Sequence, residues 1–195
     1  MAQVLTHALL SDLHKGINKT ALLPCPSTGE VTLAAADFSA ADLLYSLKDS
    51  FAVDWSEPTL DEITVDQADE VIDTDMSDIG EVTITANYPT QATAALEYFF
   101  TKAKAITGVK GPGWASGDAT YEGASFFKMP KQIECSLMST SASGKSAIVF
   151  ARVQFTAREQ RDNDTGLWYI AVTGKMLSNL KDGEGDFAVL KQPSE

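Results

Sequence analysis

The chain has 195 residues, of which 44% are hydrophobic and 22% are charged, a composition typical of a globular protein with one domain and a substantial core. Its formal net charge of −12 argues against a basic nucleic-acid-binding face. The N-terminal stretch has no basic region followed by an apolar one, and no run reaches the ~20 apolar residues of a membrane span. We therefore expect a soluble protein that is made in a cytosol and has no membrane partner.

The negative charge is concentrated in about one quarter of the chain. No lysine or arginine lies between Lys48 and Lys102, and this interval holds 13 of the 27 acidic residues, whereas the other 14 are balanced by 15 basic residues. The stretch 66–81 is interpreted as a charged loop. Six of its acidic residues form the candidate functional set: Asp66, Asp69, Glu70, Asp73, Asp75 and Asp78.

The first 50 residues are interpreted as an arm with helical segments that precedes a main domain at 51–195. Residues 1–20 carry an apolar stripe at helical spacing, formed by Leu5, Leu9, Leu10 and Leu13. Ser39 is a plausible N-cap for a second helix over 39–51. Between these helices, the sequence VTLAA is compatible with a short strand.

The segments after the acidic stretch have clear periodicity. EVTITANY at 81–88 alternates apolar and polar residues, which predicts a half-buried antiparallel strand. A helix is predicted from about Gln91 to Thr107, with Gly108 as its stop. Its apolar stripe consists of Ala92, Ala95, Leu96, Phe99, Ala103 and Ile106.

The rest of the chain predicts a β-rich half. Residues 108–123 hold five glycines and are interpreted as a long loop. Five strands are then expected, separated by polar turns: SFFKM, QIECSLMST, KSAIVFARVQFTA, GLWYIAVTGKML and DFAVLK. The predicted fold class is mainly β: an antiparallel β-sandwich or barrel with one flanking α-helix and an N-terminal helical arm.

No motif in the chain predicts catalysis. SGKS at 143–146 has Ser139 where a P-loop requires glycine, and a predicted strand follows it, so we interpret it as a hairpin turn. DTDMSDIGE does not have the EF-hand spacing of ligands, and DNDTG at 162–166 is typical of a turn. An irregular calcium site remains an alternative for these acidic stretches.

The histidines and cysteines likewise predict no site. His7 and His14 are seven residues apart, which is not the spacing of a helical zinc pair. Cys25 and Cys135 lie in no CxxC motif and are interpreted as reduced thiols. The sequence therefore predicts a protein that is not an enzyme, with no cofactor and no metal ligands.

The order of elements resembles a known family. TLDEITVDQADEVIDTD leads into DIGEVTITANYPTQATAALEYFFTKAKAITG, and the β-rich half ends in FARVQFTAREQRDNDTGLWYIAVTGKML and GDFAVL. This order, over roughly residues 55–190, resembles that of the major tail, or tail tube, proteins of tailed bacteriophages. The first ~50 residues and the long glycine-rich loop around Trp114 depart from the simplest members of that family.

The resemblance implies a β-sandwich or small barrel with one flanking helix, assembled into homohexameric rings that stack into a tube through which DNA passes. It implies copies of the same chain and other tail proteins as partners, and a place in the virion tail after assembly in the host cytoplasm. DNA carries about one negative charge per 1.7 Å, so an acidic lumen would keep it from adhering. Under this hypothesis the six acidic residues face the lumen; the alternative is a solvated outer loop.

Two other classes of protein remain open at this point. One is another phage structural component, such as a neck, ring or capsid accessory protein. The other is a calcium-stabilised or carbohydrate-binding β-sandwich, which should show metal-dependent melting.

Overall fold

A computed structural model describes residues 19–40, 42–47, 49–65, 68–78, 80–90, 93–105, 108–112, 117–121 and 125–191. The strands in chain order are β1 Lys19–Pro24, β2 Asp42–Leu44, β3 Ala52–Trp55, β4 Thr59–Val65, β5 Ala68–Asp78, β6 Val82–Pro89, β7 Phe100–Ala105, β8 Val109–Pro112, β9 Asp118–Tyr121, β10 Ser125–Pro130, β11 Ile133–Thr140, β12 Ser146–Arg161, β13 Trp168–Met176 and β14 Phe187–Lys191. Among the described residues there is one α-helix, α1, at Thr93–Phe99, and there are two 3-10 turns, at Leu33–Ala35 and Phe38–Ala40.

The main sheet contains eight antiparallel strands. Seven follow the order β2-β1-β11-β12-β13-β6-β3, and β14 pairs with β12. The prediction of a mainly β, antiparallel fold is confirmed. The predicted N-terminal helical arm is not supported: residues 1–18 lie outside the described residues, and the chain from Lys19 onward forms β1, which lies inside this sheet.

The longest strand described, β12, pairs with three other strands. β11 pairs with one edge of it, while the other edge pairs first with β14, over Ser146–Phe150, and then with β13, over Val153–Arg161. Between the two partners, the N–H of Ala151 donates to the carbonyl of Asp186 at 2.8 Å, and the carbonyl of Arg152 accepts from the N–H of Leu177 at 2.9 Å. The backbone of β12 is therefore satisfied where it changes partner.

The two ends of the seven-strand path are brought together by the chain that joins β2 to β3. The N–H of Leu47 donates to the carbonyl of Asn87 on β6 at 2.7 Å. The hydroxyl of Ser50 accepts from the N–H of the same asparagine at 3.2 Å. Trp55 on β3 also packs edge-on against Phe187 on β14, with ring centroids 5.0 Å apart. The sheet is therefore strongly curled.

The core fills the inside of this curl. Its fully buried members come from strands across the sheet and from α1, and they include Leu22, Ile84, Phe99, Leu137, Phe150, Val153 and Ile170. The alternation predicted for EVTITANY is confirmed, because Val82, Ile84, Ala86 and Tyr88 are all buried. Ser146, Ala147, Val149 and Phe150 of β12 are buried as well, although their side chains alternate between the two faces of the strand.

The predicted helix over 91–107 is only partly present. Ala95 and Phe99 are buried as the apolar stripe requires, but α1 ends at Phe99 and β7 begins at the next residue. The carbonyl of Phe99 accepts from the N–H of Lys131 at 3.1 Å, and β7 pairs with β10. Strand pairing therefore overrides the helix propensity of the sequence TKAKA.

The predicted helix over 39–51 is wrong. A 3-10 turn at Phe38–Ala40 is followed by β2, which pairs with β1. Asp49 has a positive φ of 59°, which interrupts any helix at that point. VTLAA does not form the short strand with which its sequence is compatible, because its last three residues, Leu33–Ala35, form a 3-10 turn.

Turn predictions in the second half are confirmed. In SGKS, the N–H of Ser141 donates to the carbonyl of Ser146 at 2.9 Å, and Gly144 takes a positive φ of 72°, so the segment is a hairpin turn. In the described part of the chain, no helix combines the length and the apolar character needed to cross a membrane.

Candidate functional site

The stretch predicted as a charged loop is a strand. β5 pairs along its length with β4 and, among the described residues, with no other strand. The loop prediction is therefore wrong. The acidic composition of β5 is typical of a loop, but the segment pairs with β4, the strand directly before it in the chain. We call this two-stranded hairpin, residues 59–78, the acidic ribbon.

The backbone places five of the six candidate acidic residues along β5; Asp66 lies outside the described residues. Those five are Asp69, Glu70, Asp73, Asp75 and Asp78, and Asp61 and Glu62 lie on the adjacent β4. Asp61 is directly opposite Asp75 in the register. Like charges at directly opposed positions destabilise a strand pair, so the ribbon would gain stability from a cationic partner.

The root of the acidic ribbon is held by Ser56 and Glu81. The N–H of Ser56 donates to the carbonyl of Glu81 at 2.9 Å, and the N–H of Glu81 donates to the Ser56 hydroxyl at 2.6 Å. Gly80 has a φ of 85°, and a Cβ there would lie 2.6 Å from the Ser56 carbonyl oxygen. These contacts join β3–β6 to β4–β5, so the acidic ribbon continues the edge of the main sheet.

A second ribbon leaves the sheet after α1. β7 pairs with β10, and farther along the hairpin β8 pairs with β9. Residues 100–131 contain five lysines, all exposed, and two acidic residues, Asp118 and Glu122. We call this segment the basic ribbon; its lysines are Lys102, Lys104, Lys110, Lys128 and Lys131.

The base of the basic ribbon is anchored in the core. Phe99, which directly precedes it, stacks on Tyr88 with ring centroids 5.8 Å apart and meets Phe155 edge-on at 6.3 Å. Phe127 of β10 packs against the same core cluster. Lys102 pairs with Glu97 of α1 at 2.6 Å. The base of the basic ribbon is therefore held in a fixed position relative to the main sheet.

The basic ribbon is not predicted from the sequence, because Lys102 and Lys104 fall within the predicted helix and residues 108–123 within the predicted loop. A signal was present in KAKAITGVKG, where lysines alternate with small apolar residues. This alternation is typical of a strand with one solvated face.

The described side chains form no group of three or more histidine, cysteine or acidic residues that could hold a metal ion. The side chains of the acidic ribbon and both histidines lie outside the described residues, so the calcium alternative at DTDMSDIGE is not addressed there. DNDTG forms the predicted turn. Asp162 accepts from the N–H groups of Thr165 and Asp164 at 3.0 and 2.8 Å, and these hydrogen bonds lower the pKa of its carboxyl group.

The two cysteines are free and lie near each other at the β1–β11 pair. Pro24 is opposite Cys135, and the Cys25 Sγ atom lies 3.8 Å from the Ser136 hydroxyl. Burial raises the pKa of the Cys25 thiol and raises that of Cys135 to about 12. Thiols in such surroundings are poor nucleophiles at neutral pH.

No protein-family model matches the chain, and no curated protein sequence matches it significantly.

Proposed function

We propose that this chain is a structural subunit that assembles with copies of itself into stacked rings, forming a tube of the phage tail kind through which DNA passes. The proposal combines the resemblance in element order with one structural observation. That observation is the presence of two β-ribbons of opposite charge on one subunit.

The charges of the ribbons are complementary. The acidic ribbon has eight acidic and no basic residues, giving a formal charge of −8, and the basic ribbon, with five lysines and two acidic residues, carries +3. The ribbons leave the fold by different strands, and each pairs only with itself in the described structure. An acidic ribbon docked on the basic ribbon of another copy gives a head-to-tail contact. Such heterologous contacts generate rings when the rotation closes and extended stacks when it does not.

The edges of the main sheet also support self-association. β2 and β3, the two ends of the strand path, carry exposed apolar side chains, with Leu43 46% and Trp55 48% exposed. Tyr45, just after β2, is 60% exposed. Edge strands with exposed apolar residues are surfaces that soluble proteins normally cover. A neighbouring subunit in a ring would cover them.

The passage of DNA is a separate part of the proposal. Wherever carboxylates of the acidic ribbon face the lumen, they repel the phosphate backbone and prevent it from adhering. The acidic residues not engaged by a neighbour's lysines would serve this purpose. Each copy supplies eight acidic residues on one ribbon and five lysines on the other, so at least three carboxylates per copy are left without a lysine from the neighbour's ribbon.

The first experiment is size-exclusion chromatography with light scattering on the purified chain, with negative-stain microscopy of each fraction. We expect rings and open tubes, with a population that falls as salt rises from low to high, because ion pairs between exposed charges are screened. Closed rings that never stack would favour a neck or other ring component. A monomer at every salt and protein concentration would contradict the proposal, and calcium-dependent melting would then favour the binding-module alternative.

Charge-reversal variants test the ribbon contact. Asp69→Lys with Asp73→Lys, or Lys104→Glu with Lys110→Glu, should each reduce assembly strongly. Combining the two reversals should restore much of it, because the charges are again opposite. The control matched to the lysine reversals is Lys145→Glu with Lys181→Glu, which also lowers the formal charge by four but lies outside both ribbons. Equal loss in the control, or no recovery in the combined variant, would refute the contact.

The lumen role needs a different readout. Replacing Glu70, Asp75 and Asp78, which the charge-reversal test leaves unchanged, with the corresponding amides should leave subunit folding and assembly intact and make assembled tubes retain DNA. Retention is measured by sedimenting tubes with labelled double-stranded DNA at physiological salt. If the variant tubes exclude DNA to the same extent as the parent tubes, this part of the proposal is refuted.

A further inference from the structure

An apolar groove lies on the face of the main sheet opposite the core. It has a volume of about 510 Å³ and runs between the 3-10 turns and β14. Its lining is almost entirely apolar and includes Leu33, Phe38, Met138, Val149, Ala188 and Leu190. An open apolar groove of this size on a folded domain is a docking surface for something apolar.

The rim of the groove has no cover among the described residues. Leu190 of β14, which lines the groove, is 45% exposed. In the described structure β14 pairs only with β12, so its other edge is an open strand edge. Both features call for a covering segment.

The described chain begins close to this groove. Lys19, the first residue of β1, is opposite Thr140 on β11; Thr140 is opposite Ala147 on β12, and Ala147 is opposite Leu190 on β14. Three strand spacings separate Lys19 from Leu190, or about 14 Å. The preceding 18 residues span about 27 Å even if fully helical. They therefore reach the groove easily from Lys19.

These preceding residues have the composition that the groove requires. Leu5, Leu9 and Leu13 recur every four residues, with Leu10 beside them, and the polar residues between them include Ser11 and Asp12. One apolar stripe on an otherwise polar segment matches a groove lined by apolar side chains.

We infer that residues 4–13 bind in this groove of their own chain and cover the outer face of β14. Attachment at Lys19 supports binding within one chain, because a short tether holds the segment at an effective concentration on the order of millimolar. This inference does not depend on the proposed tube function. It assigns the N-terminal segment to the fold and leaves the two ribbons for assembly.

Disulfide trapping in the full-length chain tests the inference. Leu9→Cys is combined with Ala188→Cys in a Cys25→Ser background, and the buried Cys135 is left in place. Under mild oxidation we expect a disulfide between positions 9 and 188 in a species of monomer size on a non-reducing gel, identified by peptide mapping. The matched control replaces Ala188→Cys by Thr173→Cys, an exposed position on β13. A bond formed equally in the control, a bond found only between chains, or no bond would each overturn the inference.

A second measurement does not depend on cysteine geometry. Leu9→Asp with Leu13→Asp should release the segment and raise the fluorescence of an apolar dye several-fold, with far-ultraviolet circular dichroism unchanged. Gln3→Asp with Ser11→Asp adds the same charge outside the stripe and should leave dye binding at the parent level. Equal dye binding by both variants would refute the inference. Both tests are done at high salt on dissociated subunits, so their outcomes do not depend on whether the chain assembles into rings.

Discussion

Phe155 on β12 and Gly174 on β13 are directly opposed, and the Phe155 ring occupies the space that a side chain at Gly174 would need. A Cβ at Gly174 would lie 2.4 Å from Cε1 and 2.7 Å from Cδ1 of that ring. The ring can therefore lie across the sheet and meet Phe99 of α1 edge-on. This pairing connects the sheet to the helix that precedes the basic ribbon.

We expect Gly174→Ala to destabilise the fold by about 1–3 kcal/mol, because the added methyl group must displace a packed aromatic ring. Urea unfolding measured by circular dichroism gives the change. The control is Gly185→Ala, where the nearest atom to the new Cβ is 3.7 Å away and a change below about 0.5 kcal/mol is expected. Equal effects at the two positions would show that ring packing at Gly174 is not the cause.

Asn179 holds Val31, which lies two residues before the groove-lining Leu33. Its side-chain oxygen accepts from the N–H of Val31 at 3.0 Å, and its side-chain nitrogen donates to the carbonyl of Val31 at 2.8 Å. Asn179→Asp keeps the acceptor, loses the donor and places a negative charge beside that carbonyl, so we expect a loss of about 1–3 kcal/mol. Urea unfolding gives this loss, and exchange at the Val31 amide should accelerate only by as much as the loss of stability dictates, because that N–H keeps its acceptor. Asn163→Asp, in the exposed turn at 162–166, is the matched control and should leave both stability and exchange unchanged.

The buried Tyr88 should make stability depend on alkaline pH. The Thr20 hydroxyl donates to the carbonyl of Leu44 at 2.7 Å, so in its 3.4 Å contact with Thr20 the phenol of Tyr88 is the donor. Burial raises the pKa of Tyr88 from 10.0 to about 12. The folded state therefore holds this proton more tightly than the unfolded state, and the associated stability is full below pH 10 and is lost as the pH rises through 12.

For this one group, the loss amounts to about 2–3 kcal/mol between pH 10 and 12. Tyr88→Phe should flatten the fall in unfolding free energy over this range, although Cys135, with a pKa also raised to about 12, leaves a residual slope of the same sign. Tyr169→Phe, at a half-buried position on β13, serves as the control. An unchanged slope in Tyr88→Phe would contradict the assignment.

The two thiols should differ in reactivity. Burial raises the pKa of both, but Cys135 is fully buried and Cys25 only partly. At pH 8 we expect slow alkylation of Cys25, faster at higher pH as the thiolate forms, and none of Cys135 until denaturant is added. Mass spectrometry of trapped samples gives the two rates, and in urea both residues should react alike. Alkylation of Cys135 in the native protein at the rate of Cys25 would contradict its burial.

Strands with one buried face could be predicted from the sequence. EVTITANY shows the two-residue period because β6 buries Val82, Ile84, Ala86 and Tyr88 against the core. The hairpin at 141–146 followed in the same way from its small, polar turn residues. Local chemistry was sufficient in both places, because each segment's burial or turn geometry is reflected in its own residues.

The ribbons could not be predicted in the same way, because their strands are stabilised by pairing with another segment and bury little in the core. β5 has an acidic sequence that by itself is typical of a loop, and only the register with β4 makes it a strand. β7 has a helix-prone sequence and becomes a strand by pairing with β10. Single-segment periodicity carries no information about such partners.

The pairing of β1 with β11 has a consequence for synthesis of the chain. Cys25, which directly follows β1, and Ser136 on β11 are 111 residues apart, and among the described strands β2 pairs only with β1. At 5–20 residues per second, a ribosome needs on the order of ten seconds to make the residues between them. Throughout that interval the apolar side chains of Ala21 and Leu22 have no partner strand on the β11 side. β1 and β2 are therefore made early but completed late, and we expect the nascent chain to expose apolar segments of the kind that chaperones bind.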